Sequence, residues 1–468
     1  MTYFNHLDKY DGRISLVYES GASLTYAELL ADGDRIAAKV GRRCLIFIIC
    51  TNSFESVATY IGCLRAAIVP VLLSHSLDPA LMDSLVESYR PAFLFGPAAA
   101  LEGRPELRED FRLGDHILTT TGYEPDYDLH DELALLLTTS GSTGSPKLVR
   151  QSYCNIRSNT ESIIEYLGIG PDERAISTLP MHYTYGLSII NTHLASGARI
   201  ILTEASVMSK IFWALLKREE ATTFGGVPYI YEMLKKLRFE KMDTHSLRYL
   251  TQAGGRLDAM LLREMCDICD RRALRFIVMY GQAEATARMS WLPWEYAREK
   301  CESIGVAIPK GKFWLADKDM QVIEESGMVG ELVYEGPNVT HGYAESRHDL
   351  ARNDERGGRL FTGDMAKRDQ DGFYYIAGRK KRFLKLFGSR VNLDEVEALL
   401  NREGFGCACA GNDDQLLVFF EGILAKLPDV EKYLGERLGL NYSGFKVLPI
   451  KSIPRNEAGK VLYSALPL

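Results

Sequence analysis

The run LLLTTSGSTGSPKLVRQSY, Leu135 to Tyr153, sets three leucines ahead of a hydroxyl-rich loop holding Gly141, Gly144, Pro146 and Lys147. An apolar strand that empties into small residues suits an anion, because side chains without bulk let main-chain N–H groups converge on phosphate oxygens. The loop is not a Walker A element, since Lys147 follows Pro146 and precedes Leu148. It is not a dinucleotide fingerprint either, because Gly141 and Gly144 are its only glycines. Taken alone, the stretch also reads as an ordinary surface connection.

Outward from this loop the chain alternates strand and helix. SLTYAELLADGDRIAAKVG opens on a capping box, Thr25 with Glu28, and continues with helical apolar spacing. CLIFIIC, ARIILTEA and ALRFIVMYGQ read as buried strands, with helices such as IFWALLKREE between them. That order predicts an α/β fold, a doubly wound region with a mostly parallel sheet. From about Phe313 the pattern becomes short strands with turn signals, a small β-subdomain. Beyond GRKKRFLKLFGSR, strands and helices mix in a compact α+β unit.

The bulk properties narrow the function. The chain has 468 residues, 46% hydrophobic and 25% charged, which is globular and long enough for two or three domains. A formal net charge of -7 argues against a general nucleic-acid surface. The N-terminal MTYFNHLDKYDGR is polar where a signal peptide needs an apolar core, and no apolar run reaches the roughly 20 residues of a membrane span. A cytoplasmic enzyme is expected. Of nine cysteines, Cys266 and Cys269 form a CxxC, but their segment reads as helix, where that spacing puts both thiols on one face. Ordinary thiols, buried or at the surface, are the plainer reading and a zinc or redox pair the other.

Further motifs follow the loop in order: LPMHYTYGLS (Leu179–Ser188), YGQAEATARMS (Tyr280–Ser290), GELVYEGPNVTHGY (Gly330–Tyr343), FTGD (Phe361–Asp364), GRKKRFLKLFGSRVNLDEVE (Gly378–Glu397) and PRNEAGKV (Pro454–Val461). With TTSGSTGSPK, this series resembles the adenylate-forming superfamily, which includes acyl-CoA synthetases and the adenylation domains of peptide synthetases. The resemblance runs from near residue 24 to the end. It implies an N-terminal AMP-binding domain at 1–379 and a mobile C-terminal domain at 380–468.

The implied reaction joins a carboxylate to the α-phosphorus of ATP, releasing pyrophosphate, and then passes the acyl group to coenzyme A or to the phosphopantetheine of a carrier protein. By resemblance, Thr139, Ser140, Gly141, Ser142, Thr143, Gly144 and Lys147 hold phosphates, and Glu284 binds Mg2+. Tyr280, Gly281, Gln282, Gly255 and Arg256 border the adenine. Asp364 takes the ribose hydroxyls, and Arg379 contacts the same ribose or the phosphate. Tyr183, Thr184, Gly225 and Gly254 line the acid pocket. Lys381 is the hinge, Gly388 lets the thiol arm approach, and Lys460 is the catalytic cation of the first half-reaction. The basic cluster Arg379, Lys380, Lys381, Arg382, Lys385 and Arg390 is offered to coenzyme A phosphates, to an acidic carrier, or simply to solvent.

Two departures from the family pattern bear on rate and substrate. Ala283 stands where relatives usually carry a threonine whose hydroxyl contacts the adenylate phosphate, and Thr286 is one candidate to replace it. PMHYTYGLSII holds no acidic residue to pair with an α-amino group, so a plain carboxylic acid is expected rather than an amino acid. An enzyme that stops at acyl-AMP, a luciferase-like oxygenase and a non-catalytic binding module are the other readings.

Overall fold

The strand Leu133–Thr138, which leads into the hydroxyl-rich loop, is buried from Leu133 to Leu137. Leu135, Leu136 and Leu137 each have 0% exposure, and burying one such side chain contributes about 1.5–3 kcal/mol. The computed structural model describes residues 3–101, 107–124, 126–138, 147–380, 382–386, 389–412, 415–423, 426–437, 442–456 and 459–467. Expectations placed on Thr139, Ser140, Gly141, Ser142, Thr143, Gly144, Lys381 and Gly388 lie outside these residues.

The chain forms two units. Met1–Cys301, Gly305–Lys312 and Tyr334–Leu360 make the larger, and Glu302–Ile304, Phe313–Val333 and Phe361–Leu468 the smaller. The larger carries two sheets. In one, the strands Leu45–Cys50, Val69–Ser74, Phe93–Pro97 and Leu133–Thr138 run parallel. Leu148–Ser152 then turns antiparallel to Leu133–Thr138, and Tyr343–Ala344 closes that edge. In the other, Ile14–Tyr18, Arg199–Leu202, Arg174–Ser177, Thr223–Gly226, Tyr249–Gln252 and Arg275–Tyr280 are parallel neighbours. Such strands are near-continuous apolar runs because crossover helices cover both faces of a parallel sheet. This is the α/β architecture the alternation predicts.

Local chemistry starts the helices where the sequence says. Glu28 N–H donates to Thr25 Oγ1 (3.2 Å) while Thr25 N–H donates to Glu28 Oε2 (2.8 Å), and Gly41 ends Tyr26–Val40 at φ 68°. Ser152 and Asn155 repeat the box at helix Tyr153–Leu167. Cys266 and Cys269 lie buried on helix Ala259–Arg271, with both thiols pushed up to about 12, chiefly by burial. Among the described residues no further ligand joins them into a metal set. Nor is any described helix long and apolar enough to cross a membrane.

Helix Thr184–Ala195 carries His193, which is 3% exposed, its Nδ1 facing Ile189 O at 2.8 Å. Burial, reinforced by the Arg288 charge, holds the imidazole down at about 4, against an ordinary 6.5. A depressed folded value gives stability that is present above the unfolded value and lost as pH falls toward the folded one. The window is therefore 6.5 down to about 4. Urea unfolding at pH 7.5 and pH 5 checks this: wild type is expected to lose about 2 kcal/mol more than His193→Gln over that interval. Equal losses would show that His193 is not the titrating group.

Val329–Glu335, Arg359–Arg368 and Tyr374–Arg379 are neighbours in one sheet, most of their residues belonging to the smaller unit. The hairpin Phe383–Leu386 and Ser389–Asn392 leads to helix Leu393–Arg402 and to the sheet Cys407–Asn412, Gln415–Glu421, Phe445–Ile450. Leu384, Leu400, Val418, Phe420 and Leu434 share its core. Arg382 donates from Nη2 to Glu397 Oε1 (2.6 Å) and lies 3.7 Å from the Tyr463 ring centroid, while Tyr463 donates to Glu397 Oε2 (2.9 Å). The α+β expectation for this region is met.

Candidate active site

Strand Arg275–Tyr280 of the larger unit ends in the turn that carries Glu284. Gly281 is required there, because a Cβ would sit 1.8 Å from Ala287 O. The turn is tight: Thr286 holds φ 68° and ψ -68°, and Ala287 N–H donates to Ala285 O (2.8 Å). This is a γ-turn geometry that costs a β-branched residue on the order of 1–3 kcal/mol and persists only where surroundings enforce it. Asn338 does so, donating to Ala285 O (2.9 Å) and accepting from Thr286 Oγ1 at its own carbonyl (2.7 Å). Thr286 is 7% exposed with its hydroxyl so committed, and therefore does not stand in for the hydroxyl missing at Ala283.

Glu284 is half-buried and fixed at both ends. Its carbonyl accepts from Thr340 N–H (3.0 Å), Thr340 Oγ1 (3.0 Å) and Arg356 Nη1 (3.1 Å). Its carboxylate Oε1 accepts from the Tyr343 hydroxyl (2.6 Å). Burial, and after it the Glu284 charge, pushes the Tyr343 phenol well up, so it remains a donor. The Tyr343 ring lies between two cations, Lys147 Nζ at 4.0 Å and Arg356 at 4.7 Å from its centroid. Lys147 also pairs with Glu345 (3.5 Å). One ring thus joins the loop lysine to the acid read as metal-binding.

Arg150 explains why Tyr343 stays there. Its guanidinium is 1% exposed and donates to Tyr343 O (3.1 Å), Arg352 O (2.5 Å), His341 O (2.9 Å) and Glu355 Oε2 (2.7 Å). Sequence reasoning missed Tyr343, Arg356, Thr340 and Arg150 as site residues. The advance signals were positional: Thr340 and Tyr343 lie inside the motif Gly330–Tyr343, and Arg150 inside the stretch Leu135–Tyr153.

Lower in the same sheet, Tyr183 precedes helix Thr184–Ala195, and burial pushes its phenol up to about 12. A Cβ on Gly254, at φ 87°, would stand 2.5 Å from the Tyr183 hydroxyl, so these two pocket candidates meet. Gly225 instead lies against Tyr185, whose hydroxyl donates to Thr251 O (2.8 Å). Thr184 opens the helix. Gln282 Nε2 donates to the Tyr280 hydroxyl (3.2 Å), and Gln252 Nε2 to Gly255 O (2.8 Å), which shapes the turn before Arg256.

In the smaller unit, Asp364 and Arg379 are register partners on antiparallel strands, with Arg379 Nε 3.4 Å from Asp364 Oδ1. Asp364 is 5% exposed, an acceptor-only carboxylate beside a guanidinium. The basic cluster is partly consumed by the fold: Lys380 pairs with Glu331 (2.6 Å) and Arg382 with Glu397, so neither is a spare surface charge. Lys460 follows Gly459 (φ 74°) in a tight loop, where Asn456 N–H donates to Lys460 O (2.9 Å) and Lys460 N–H to Asn456 Oδ1 (2.9 Å).

Parallel sheets, a strand-end loop lysine and a clamped acidic turn define an α/β enzyme of the adenylate-forming class. Residues 3–344 match the family described as AMP-binding enzyme, and the chain belongs to it. The 2-succinylbenzoate–CoA ligase of Bacillus subtilis (strain 168) is 26% identical, over 97% of this chain and 94% of its own. Feruloyl-CoA synthase of an Amycolatopsis species is 29% identical over 81% of this chain and 78% of its own. Among solved structures, O-succinylbenzoate coenzyme A synthetase from Bacillus subtilis in complex with AMP superposes with TM-score 0.80 at 24% identity, covering 99% of this chain and 98% of that one. ATP-bound MatB from Rhodopseudomonas palustris gives 0.77 at 23%, covering 100% and 98%. Those structures carry the fold, which agrees with the sequence resemblance.

Proposed function

We propose that the chain activates a carboxylic acid with ATP and transfers the acyl group to coenzyme A. The carboxylate oxygen bonds to the α-phosphorus as the bond to pyrophosphate breaks. A thiolate then bonds to the acyl carbon and AMP leaves with the electron pair. The relatives' names support coenzyme A as acceptor, since they are CoA ligases and synthases. The observation that carries the reading is Tyr343, which holds Glu284 by its hydroxyl and Lys147 by its ring face.

Glu284 fits a magnesium ion. It offers a hard oxygen donor, one oxygen is oriented by Tyr343, and its carboxylate accepts no other bond among the described residues. Among the described residues, three or more metal-type groups come together only at Glu55, Asp115 and His116, so Glu284 is not part of a larger protein ligand set. A single protein carboxylate suits an ion whose other positions are filled by phosphate and water. When bound, the ion lowers the repulsion between two anions that must react.

The protein's own groups do the rest in this reading. Lys147 adds charge beside the phosphates, and Arg356 fixes the Glu284 main chain. Asp364 takes the ribose hydroxyls and Arg379 steadies that carboxylate. Lys460 neutralises charge between the acid and the nucleotide. Acid-dependent exchange of pyrophosphate into ATP over a panel of acids tests this, and adding coenzyme A or a carrier protein identifies the acceptor. No exchange with any acid would refute it.

Because Thr286 is occupied elsewhere, Ala283→Thr is expected to raise the exchange rate by about 10- to 100-fold, the worth of one hydrogen bond to a charged group. An unchanged kcat/KM would show that position 283 does not face the phosphate.

A further inference from the structure

Arg288 is 3% exposed and follows the strained turn. Its main chain is fixed, for its carbonyl accepts from Asn159 Nδ2 (2.7 Å) and Asn338 Nδ2 (3.2 Å). Its guanidinium is poorly satisfied. Nη1 donates to the Tyr166 hydroxyl (3.3 Å) and meets Met279 Sδ (3.2 Å), and the head lies 5.1 Å from the Tyr185 ring centroid. The Nε–H is buried with no acceptor. Among the described residues no carboxylate lies within ion-pair distance.

Arg150 shows how this fold treats a buried guanidinium that is purely structural, supplying carbonyls and the Glu355 carboxylate. Arg288 has a phenol, a thioether and a ring face. Proteins do not deprotonate arginine, and an unpaired buried charge costs more than one ring face returns. The missing counter-charge has a natural source, because the groups around Arg288 belong to the acid pocket. Tyr185 lies two residues beyond Tyr183, packs against it (6.4 Å between centroids) and touches Gly225. Met279 begins the wall that continues into Tyr280 and Gly281.

We propose that the acid this enzyme activates carries a second carboxylate, and that Arg288 receives it while the first is adenylated. The proposal rests on the acid-activating function proposed above. The second carboxylate pairs with Nε and the adjoining guanidinium edge, in the planar arrangement that arginine favours. A monoacid of the same length leaves that charge unpaired and is selected against.

The test is pyrophosphate exchange with matched acids: glutarate against pentanoate, adipate against hexanoate, phthalate against benzoate. Wild type is expected to favour one diacid over its monoacid partner by at least about 30-fold in kcat/KM. Arg288→Gln removes that preference, raising KM for the diacid while the monoacid's kcat/KM holds or improves, and Arg288→Lys retains part of it. Removing an unpaired buried charge also leaves Tm level or higher, whereas a structural arginine would lower it. Exchange with monoacids as good as diacids, or equal losses for both in Arg288→Gln with a lowered Tm, overturns the proposal and leaves the acid-activating reading standing. Exchange with no acid at all overturns that reading and the proposal with it.

Discussion

Replacing Lys460 by alanine is expected to lower acid-dependent pyrophosphate exchange on the order of 100- to 1,000-fold, the usual cost of deleting one preorganised group aimed at transition-state charge. Transfer of a preformed acyl-adenylate to coenzyme A should fall by only a few fold. The split arises because the two half-reactions differ in charge. In the first, an anion approaches a polyanion, and an ammonium between them stabilises the transition state more than the ground state. In the second, the acyl carbon is already activated and AMP is a competent leaving group. The main chain at Lys460 is tied to Asn456 at both its carbonyl and its N–H, bonds that an alanine keeps, so the substitution should leave the smaller unit folded. Equal losses in both half-reactions would show that Lys460 does not act on adenylation in particular.

Glu284→Gln is expected to have an effect of similar size with a different signature. The amide keeps the shape and still accepts from Tyr343, but gives up the charge that draws a hard cation. Exchange should drop about 100-fold or more, and the magnesium concentration for half-maximal rate should rise. Tyr343→Phe supplies the graded case: it removes one hydrogen bond to a charged group, worth about 1.5–3 kcal/mol, and leaves the ring between Lys147 and Arg356. Its expected loss is about 10- to 100-fold. If Glu284→Gln left the magnesium dependence unchanged, the carboxylate would be structural.

Much of the fold was legible in the chain because its signals are local. Thr25 with Glu28 marks a helix start within four residues, and the buried strands are short apolar runs bounded by polar turns. The candidate site is legible only where candidate residues sit inside a motif, as for Glu284, Asp364 and Lys460. What joins these motifs was hidden. Tyr343 meets Glu284 across 59 positions, and Arg150 meets Glu355 across 205. No periodicity encodes such pairings, since they depend on which strands become sheet neighbours. Lys380 and Arg382 misled for the same reason: they look like free cations in the sequence, yet Glu331 and Glu397 are their partners. Arg288 is the opposite case, because a missing partner cannot be read from a string of letters at all.

The Arg382–Glu397–Tyr463 clamp has a mechanical consequence. A short ion pair, a phenol bond and a cation lying on a ring leave little slack between the residue just past position 381 and the tail that carries Lys460. A substitution at Glu397 therefore loosens two chain segments at once, the strand that Arg382 opens and the tail that Tyr463 anchors.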